Sequence, residues 1–233
     1  MTTIVVSEEE MVSKLASYIE KIANDAIDSR GKFYVGFSGG SVLNYLCECL
    51  QTVSTDWSEW VVAFCDERVV PESSEDSTFG TYKRELIPKT KLVANQFITI
   101  KQGVSAEEAA KDYEEKLTKA FGSSDFVFDL LLLGMGPDGH TCSLFPGHPL
   151  LSEDNKKVAS LTDSPKFPPE RVTLTFPTIN NARNCIFAIC GSSKAEMIER
   201  ILKQNDDDVP ARRVKPRTGA LYWILDEHAA KKL

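Results

Sequence analysis

Leu130-Leu-Leu-Leu-Gly134-Met-Gly136-Pro-Asp138-Gly-His140-Thr-Cys142-Ser-Leu-Phe145-Pro-Gly147-His148 is an apolar run that breaks into a loop dense in glycine, proline and polar side chains. Asp129 to Leu133 reads as the end of a buried strand starting near Phe126, and the residues after it read as a loop carrying chemistry at the strand's tip. Ligand sites of open α/β sheets lie there, outside the carboxyl ends of the strands. Two of the three histidines in the chain, His140 and His148, fall inside this loop.

The same order of strand, polar turn and helix recurs on both sides of it. Upstream, Ser7 and Glu10 form a capping box, and apolar residues at helical spacing from Met11 to Ala26 predict a helix that stops at Gly31. Lys32 to Phe37 then reads as a strand, and Ser38-Gly39-Gly40-Ser41 turns into a helix carrying Val42, Leu43, Leu46 and Leu50 on its inner side. Trp60 to Cys65 reads as a strand closed by Asp66-Glu67-Arg68. Thr78 to Leu86 looks helical, Phe97 to Ile100 reads as a short strand, and Ser105 caps a helix running to Gly122.

Downstream, Leu150 to Pro169 is rich in proline and charge and is expected to wrap the surface. Arg171 to Thr175 and Asn184 to Cys190 read as strands. Gly191-Ser-Ser-Lys194 opens another helix, Asp206 to Arg217 is a charged loop, and Gly219 to Leu225 is a closing strand followed by a short helix. Strands alternating with helices predict an α/β sandwich with a mainly parallel sheet. No repeat or low-complexity linker divides the 233 residues, so one domain over residues 1–233 is expected.

A net charge of -7 argues against a nucleic-acid surface while leaving room for a basic pocket that takes a small anion. The six cysteines contain no Cys-x-x-Cys and sit mostly in apolar or helical stretches, as reduced thiols of a cytoplasmic protein do. No basic and apolar leader opens the chain and no apolar run approaches membrane length, so a membrane partner is not expected either.

Phe37-Ser-Gly-Gly-Ser41 suits a phosphate, because glycines let backbone N–H groups and the positive helix end face an anion. It lacks the Gly-Lys-Ser/Thr of a nucleoside triphosphate loop, and an ordinary tight turn has the same composition. Gly134-x-Gly136-x-x-Gly139 fits the dinucleotide fingerprint by letter, but Pro146, Gly147 and Pro149 interrupt the helix that fingerprint requires. His140, Cys142 and His148 are one ligand short of a zinc set. Cys142 reads as a small buried thiol rather than a nucleophile served by His140. His140 is the candidate general base, with Asp138 to orient it. Asp66, Glu67 and Arg68 read either as site residues or as a surface salt-bridge set, and Lys194 at a helix start invites an anion.

Together, Ser38-Gly-Gly-Ser41, Asp66-Glu-Arg68, Gly134-x-Gly-x-Asp-Gly-His-Thr-x-Ser-Leu-Phe-Pro-Gly147, Arg171-Val-Thr-Leu-Thr-x-Pro177 and Gly191-x-x-Lys194 strongly resemble the 6-phosphogluconolactonase family. The resemblance implies a cytosolic hydrolase of the pentose phosphate pathway that opens 6-phospho-D-glucono-1,5-lactone without metal or organic cofactor. The implied fold is a Rossmann-like three-layer sandwich shared with glucosamine-6-phosphate deaminase and ribose-5-phosphate isomerase, in a monomer or weak homo-oligomer. By the same likeness His140 activates water and Asp138 supports it. Gly39, Gly40 and Ser41 hold the 6-phosphate with Lys194, and Ser38 belongs to the same binding loop. Arg68 and Arg171 lie near the anionic or carbonyl oxygens, and Asp66 near the hydroxyls. Two rivals share much of this pattern, an amino-sugar-phosphate deaminase or isomerase and a non-catalytic sugar-phosphate sensor. The deaminases continue into Asn-Glu-Pro, with the glutamate at the position where this chain has Phe145.

Overall fold

A computed structural model describes residues 1–233. The chain opens with β1 (Thr2–Val6) and α1 (Glu8–Arg30), whose ends follow from local chemistry. The Ser7 side chain accepts from the Glu10 N–H, Glu10 reaches back to the Ser7 N–H, and Gly31 closes the helix at φ 77°. There follow β2 (Phe33–Phe37), α2 (Ser41–Cys49), β3 (Trp60–Phe64), β4 (Asp66–Arg68), α3 (Thr78–Glu85), α4 (Ala106–Phe121) and β5 (Leu130–Leu133). The second half contains β6 (Val158–Leu161), β7 (Arg171–Leu174), α5 (Phe176–Ile179), β8 (Asn184–Ile189), α6 (Ala195–Leu202) and β9 (Ala220–Asp226).

Six strands form a parallel sheet in the order β1-β9-β8-β5-β2-β3, and β4-β7-β6 form a separate antiparallel sheet. Side chains alternate across the parallel sheet as its pleat requires. Leu130 and Leu132 of β5 join Phe33, Val35 and Phe37 of β2 in a core with α1 and α2, whereas Leu131 and Leu133 join a second core with α4, α6 and the small sheet. Buried on both faces, β5 is the run of four leucines that dominates the sequence. No helix is long and apolar enough to cross a membrane.

Several boundaries differ from expectation. The residues before Ser7, unassigned from the sequence, form β1, an edge strand paired only with β9. Phe97 makes one isolated bridge to Val62, on the outer edge of β3, and no strand. The organising strand is Leu130–Leu133, shorter than Phe126 to Leu133. The surface wrap contains β6, which pairs with β7, and the residues after β9 are turns rather than a helix. Asp66–Arg68 is itself a strand, leaving the parallel sheet after a single residue, Cys65.

Candidate active site

From β2 the chain steps outward to β3, then returns to place β5 on the other side of β2 and builds outward through β8 and β9. The strand order therefore reverses between β2 and β5, and a crevice opens past their carboxyl ends. Ser38 to Ser41 leave β2 there, and Gly134 to His148 leave β5 beside them.

The loop after β5 folds back on itself. Gly136 N–H donates to the His140 carbonyl at 2.9 Å, Gly139 N–H to the Gly136 carbonyl at 3.0 Å, and Thr141 Oγ1 to the Gly134 carbonyl at 2.9 Å. A Cβ on Gly136 would stand 2.0 Å from His140 Cε1 and 2.6 Å from Asp138 Oδ1, so only glycine lets the ring and carboxylate settle over this backbone. His140 Nδ1 lies 2.5 Å from Asp138 Oδ1, and the Phe145 ring packs 4.7 Å from the imidazole, centroid to centroid. Burial raises the Asp138 pKa, but the His140 hydrogen bond and the positive charges of His140 and Lys166 outweigh it and hold the carboxyl below its ordinary range. An ionised Asp138 accepts Nδ1–H, which assigns the lone pair to Nε2. Burial lowers the His140 pKa, with the Lys166 charge in the same direction and Asp138 and Asp66 opposing, so the ring is a neutral base at neutral pH.

The small sheet supplies the cations. Arg68 on β4 stands opposite Arg171 on β7. Glu67, between Asp66 and Arg68, turns inward and accepts the N–H groups of Arg68, Thr78 and Phe79 at 2.7, 2.7 and 2.8 Å, tying β4 to the start of α3; burial pushes its carboxyl up. Asp66 Oδ2 accepts Ser143 Oγ–H at 2.7 Å, and Ser143 N–H donates to Thr173 Oγ1 at 3.2 Å, joining the β5 loop to the small sheet. Arg171 Nη1 lies 3.9 Å from Asp66 Oδ2; burial, then the Arg68 charge, lower its pKa.

These groups enclose a cavity of about 180 Å³ lined by Ser38 to Ser41, Asp66, Arg68, His140, Cys142 and Arg171, with the backbone of Gly134 to Gly136. Asp138 sits behind His140. Lys194 stands behind the wall, its ammonium donating to the Met135 carbonyl at 2.9 Å. Its pKa is lowered by burial and then by the charge of Lys166. No backbone acceptor takes the N–H of Gly39 or Gly40, and Ser38 Oγ and Arg68 Nε are buried without partners. Unpaired buried donors are costly, and donors gathered at one cavity beside the N-terminus of α2 suit an anion. A larger groove of about 610 Å³ between α4 and β6 is lined by surface lysines and glutamates and lacks such convergence.

His148, weighed with His140 and Cys142 as a zinc ligand and set aside, points elsewhere, its Nε2 facing Asp163 at 3.0 Å and its Nδ1 accepting the Leu150 N–H at 3.1 Å. Cys142 does line the cavity, at φ 51°, but the neighbouring Cys65 thiol and burial push its own thiol well up, so it is not a thiolate. Glu67, read with Asp66 and Arg68 as a possible site residue, is a structural tie instead, whereas Ser143 and Lys166 escaped the sequence reading. Ser143 stands in the quoted motif without a role, and Lys166 is hidden among Pro165, Pro168 and Pro169.

The sequence model for glucosamine-6-phosphate isomerases/6-phosphogluconolactonase matches residues 6–223. This chain belongs to that family. Over 234 residues this family member is 46% identical to the 6-phosphogluconolactonase of Rattus norvegicus, covering 97% of this chain and 91% of the rat protein. The solved 6-phosphogluconolactonase from Trypanosoma cruzi superposes with a TM-score of 0.87 at 26% identity, covering 100% of this chain and 96% of that one. A monomeric glucosamine-6-phosphate deaminase of the NagB superfamily gives a TM-score of 0.77 at 19% identity over all of both chains, a likeness of fold alone. The family's mainly parallel α/β sandwich is thus the architecture of this chain.

Proposed function

We propose that this protein hydrolyses 6-phospho-D-glucono-1,5-lactone to 6-phospho-D-gluconate, in the pentose phosphate pathway, as its similarity to the rat lactonase suggests. The observation that carries the reading is the His140 imidazole, held by Asp138 through Nδ1, with Nε2 free beside a cavity rich in donors. The phosphate would lie on the Gly39 and Gly40 N–H groups and Ser41 at the start of α2, with Arg68 alongside and Lys194 turning to it from the Met135 carbonyl. Gripping the remote phosphate positions the lactone carbonyl for attack.

His140 Nε2 then takes a proton from water as the water oxygen bonds to C1 of the lactone. Arg68 and Arg171 supply positive charge for the oxyanion, and Asp66 faces the sugar hydroxyls. When the C1–O5 bond breaks, the imidazolium returns its proton to the ring oxygen, leaving the acid. These steps use side chains and water alone. The six free cysteines fit a reducing compartment such as the cytoplasm.

Phe145 supports lactone opening over deamination. Moving a proton between adjacent sugar carbons takes more than one acid–base group, whereas an apolar ring, 1% exposed, backs His140 here. The test is an assay with freshly generated phospholactone, coupled to oxidation of the 6-phosphogluconate formed and corrected for spontaneous hydrolysis. Failure to exceed the spontaneous rate, or release of ammonia from glucosamine 6-phosphate at a comparable rate, would refute the proposal.

A further inference from the structure

The Lys166 ammonium lies 3.4 Å from Asp138 Oδ1 and 3.3 Å from His140 Nδ1, reaching the pair from the segment that joins β6 to β7. That segment is held from behind. Arg171, 4% exposed, donates Nε–H to the Pro168 carbonyl at 2.7 Å and Nη2–H to the carbonyls of Lys166 and Phe167 at 3.0 and 3.2 Å. Ser164 Oγ accepts the Lys166 N–H at 3.2 Å and donates to the Lys166 carbonyl at 2.8 Å. The lysine backbone is therefore fixed at both polar groups, and its side chain is aimed rather than left to wander over the surface.

We infer that Lys166 is a positioning residue for the base: it shares Asp138 Oδ1 with the His140 ring, fixes the carboxylate there, and opposes a second positive charge on the imidazole. Arg171 acts through it, since most of its guanidinium donors hold the 166–168 backbone. The charged groups acting on His140 are Asp138 on its own loop, Lys166 from the β6–β7 segment, and Asp66 from β4 with Arg171 behind it, while Lys194 before α6 acts on Asp138 and Lys166. Lys194 is occupied by the Met135 carbonyl, which leaves Lys166 as the cation in contact with the pair. An ammonium beside Nδ1–H makes the ring a weaker base toward water and its imidazolium a better acid toward the departing ring oxygen, so the same group tunes both proton transfers. With the Lys166 side chain 38% exposed, solvent screens this effect without removing it.

The catalytic part rests on the lactonase reading, so the test has an arm that needs no substrate. The ring signals of the three histidines are titrated by NMR in the wild type, Lys166→Met and Lys166→Arg, with His140 assigned by its loss in His140→Gln. Lys166→Met is expected to raise the His140 midpoint, and Lys166→Arg to bring it back towards the wild type. An unchanged midpoint in Lys166→Met overturns the inference. In turnover of the phospholactone, Lys166→Met is expected to move the acid limb of kcat/KM to higher pH with KM changed by less than about threefold, and Lys166→Arg to restore it. A large rise in KM with the limb unmoved would make Lys166 a substrate grip instead. A wild type inert toward the lactone would sink the activity reading while the NMR arm still decided the role of Lys166.

Discussion

Arg68 and Arg171 face each other across the antiparallel pair β4 and β7, placing two guanidinium groups on the rim of one cavity. Like charges directly opposite on a sheet are unfavourable, and an anion between or beside them relieves the repulsion. 6-Phosphogluconate is therefore expected to stabilise the protein, by about 2.7 kcal/mol at a hundredfold excess over its Kd. Arg68→Met should lose most of that gain while remaining folded. Thermal unfolding with and without ligand is the check, and an undiminished shift in Arg68→Met would place the anion elsewhere.

His140→Ala should lower kcat by about 10²–10⁴-fold, the usual contribution of a general base, with little change in the affinity for 6-phosphogluconate. Cys142→Ser should stay within about threefold of the wild type, because a thiol pushed well up by Cys65 and burial is not a nucleophile. Steady-state kinetics on both variants decides the matter; a dead serine variant with an active alanine variant would hand the chemistry to sulfur.

The pH profile follows from the direction of the His140 shift. Its pKa in the folded protein lies below the ordinary histidine value because burial disfavours the charged ring. The neutral base thus persists as pH falls through the ordinary histidine range, and kcat/KM should fall only at lower pH. Between the ordinary and the lowered pKa the unfolded chain binds more protons than the folded one, so this group also makes stability decline as pH drops. Activity and urea midpoints measured across mildly acid pH test both statements, and a limb above the ordinary histidine range would contradict them.

Gly136→Ala places a methyl where the imidazole lies, 2.0 Å from His140 Cε1. The loop must shift or the ring must leave, at a cost of about 1–3 kcal/mol for overpacking. Turnover is expected to drop by more than about tenfold, as a misplaced base does, with far-UV circular dichroism unchanged. Full activity in Gly136→Ala would mean that the observed ring position is not the working one.

The central strands were legible because burial on both faces leaves continuous apolar runs, as in Leu130–Leu133 and Phe33–Phe37. The first helix was legible to within a residue because Ser7, Glu10 and Gly31 mark its ends. The edges were not: β1 is largely exposed, and β6 lies inside a segment whose prolines and charges read as loop. Cys65 carries no turn signature, so the passage of the chain from one sheet to the other went unseen. Asp138, His140 and the glycine loop were recognisable as strand-end motifs. Lys166 reaches the site only through tertiary packing, held by the Arg171 guanidinium, and no local spacing announces it.

The Ser143 hydroxyl on Asp66 ties the loop that carries His140 to the sheet that carries the arginines. The proposed base and the two arginines thus ride on separate rafts, and their separation is set by how the small sheet is moored to the large one. In the proposed mechanism, catalysis becomes a strain gauge for that mooring. Conditions that loosen β4, β7 and β6 while sparing the parallel sheet would silence the enzyme before its secondary structure changed, and a substrate touching both rafts would lash them together.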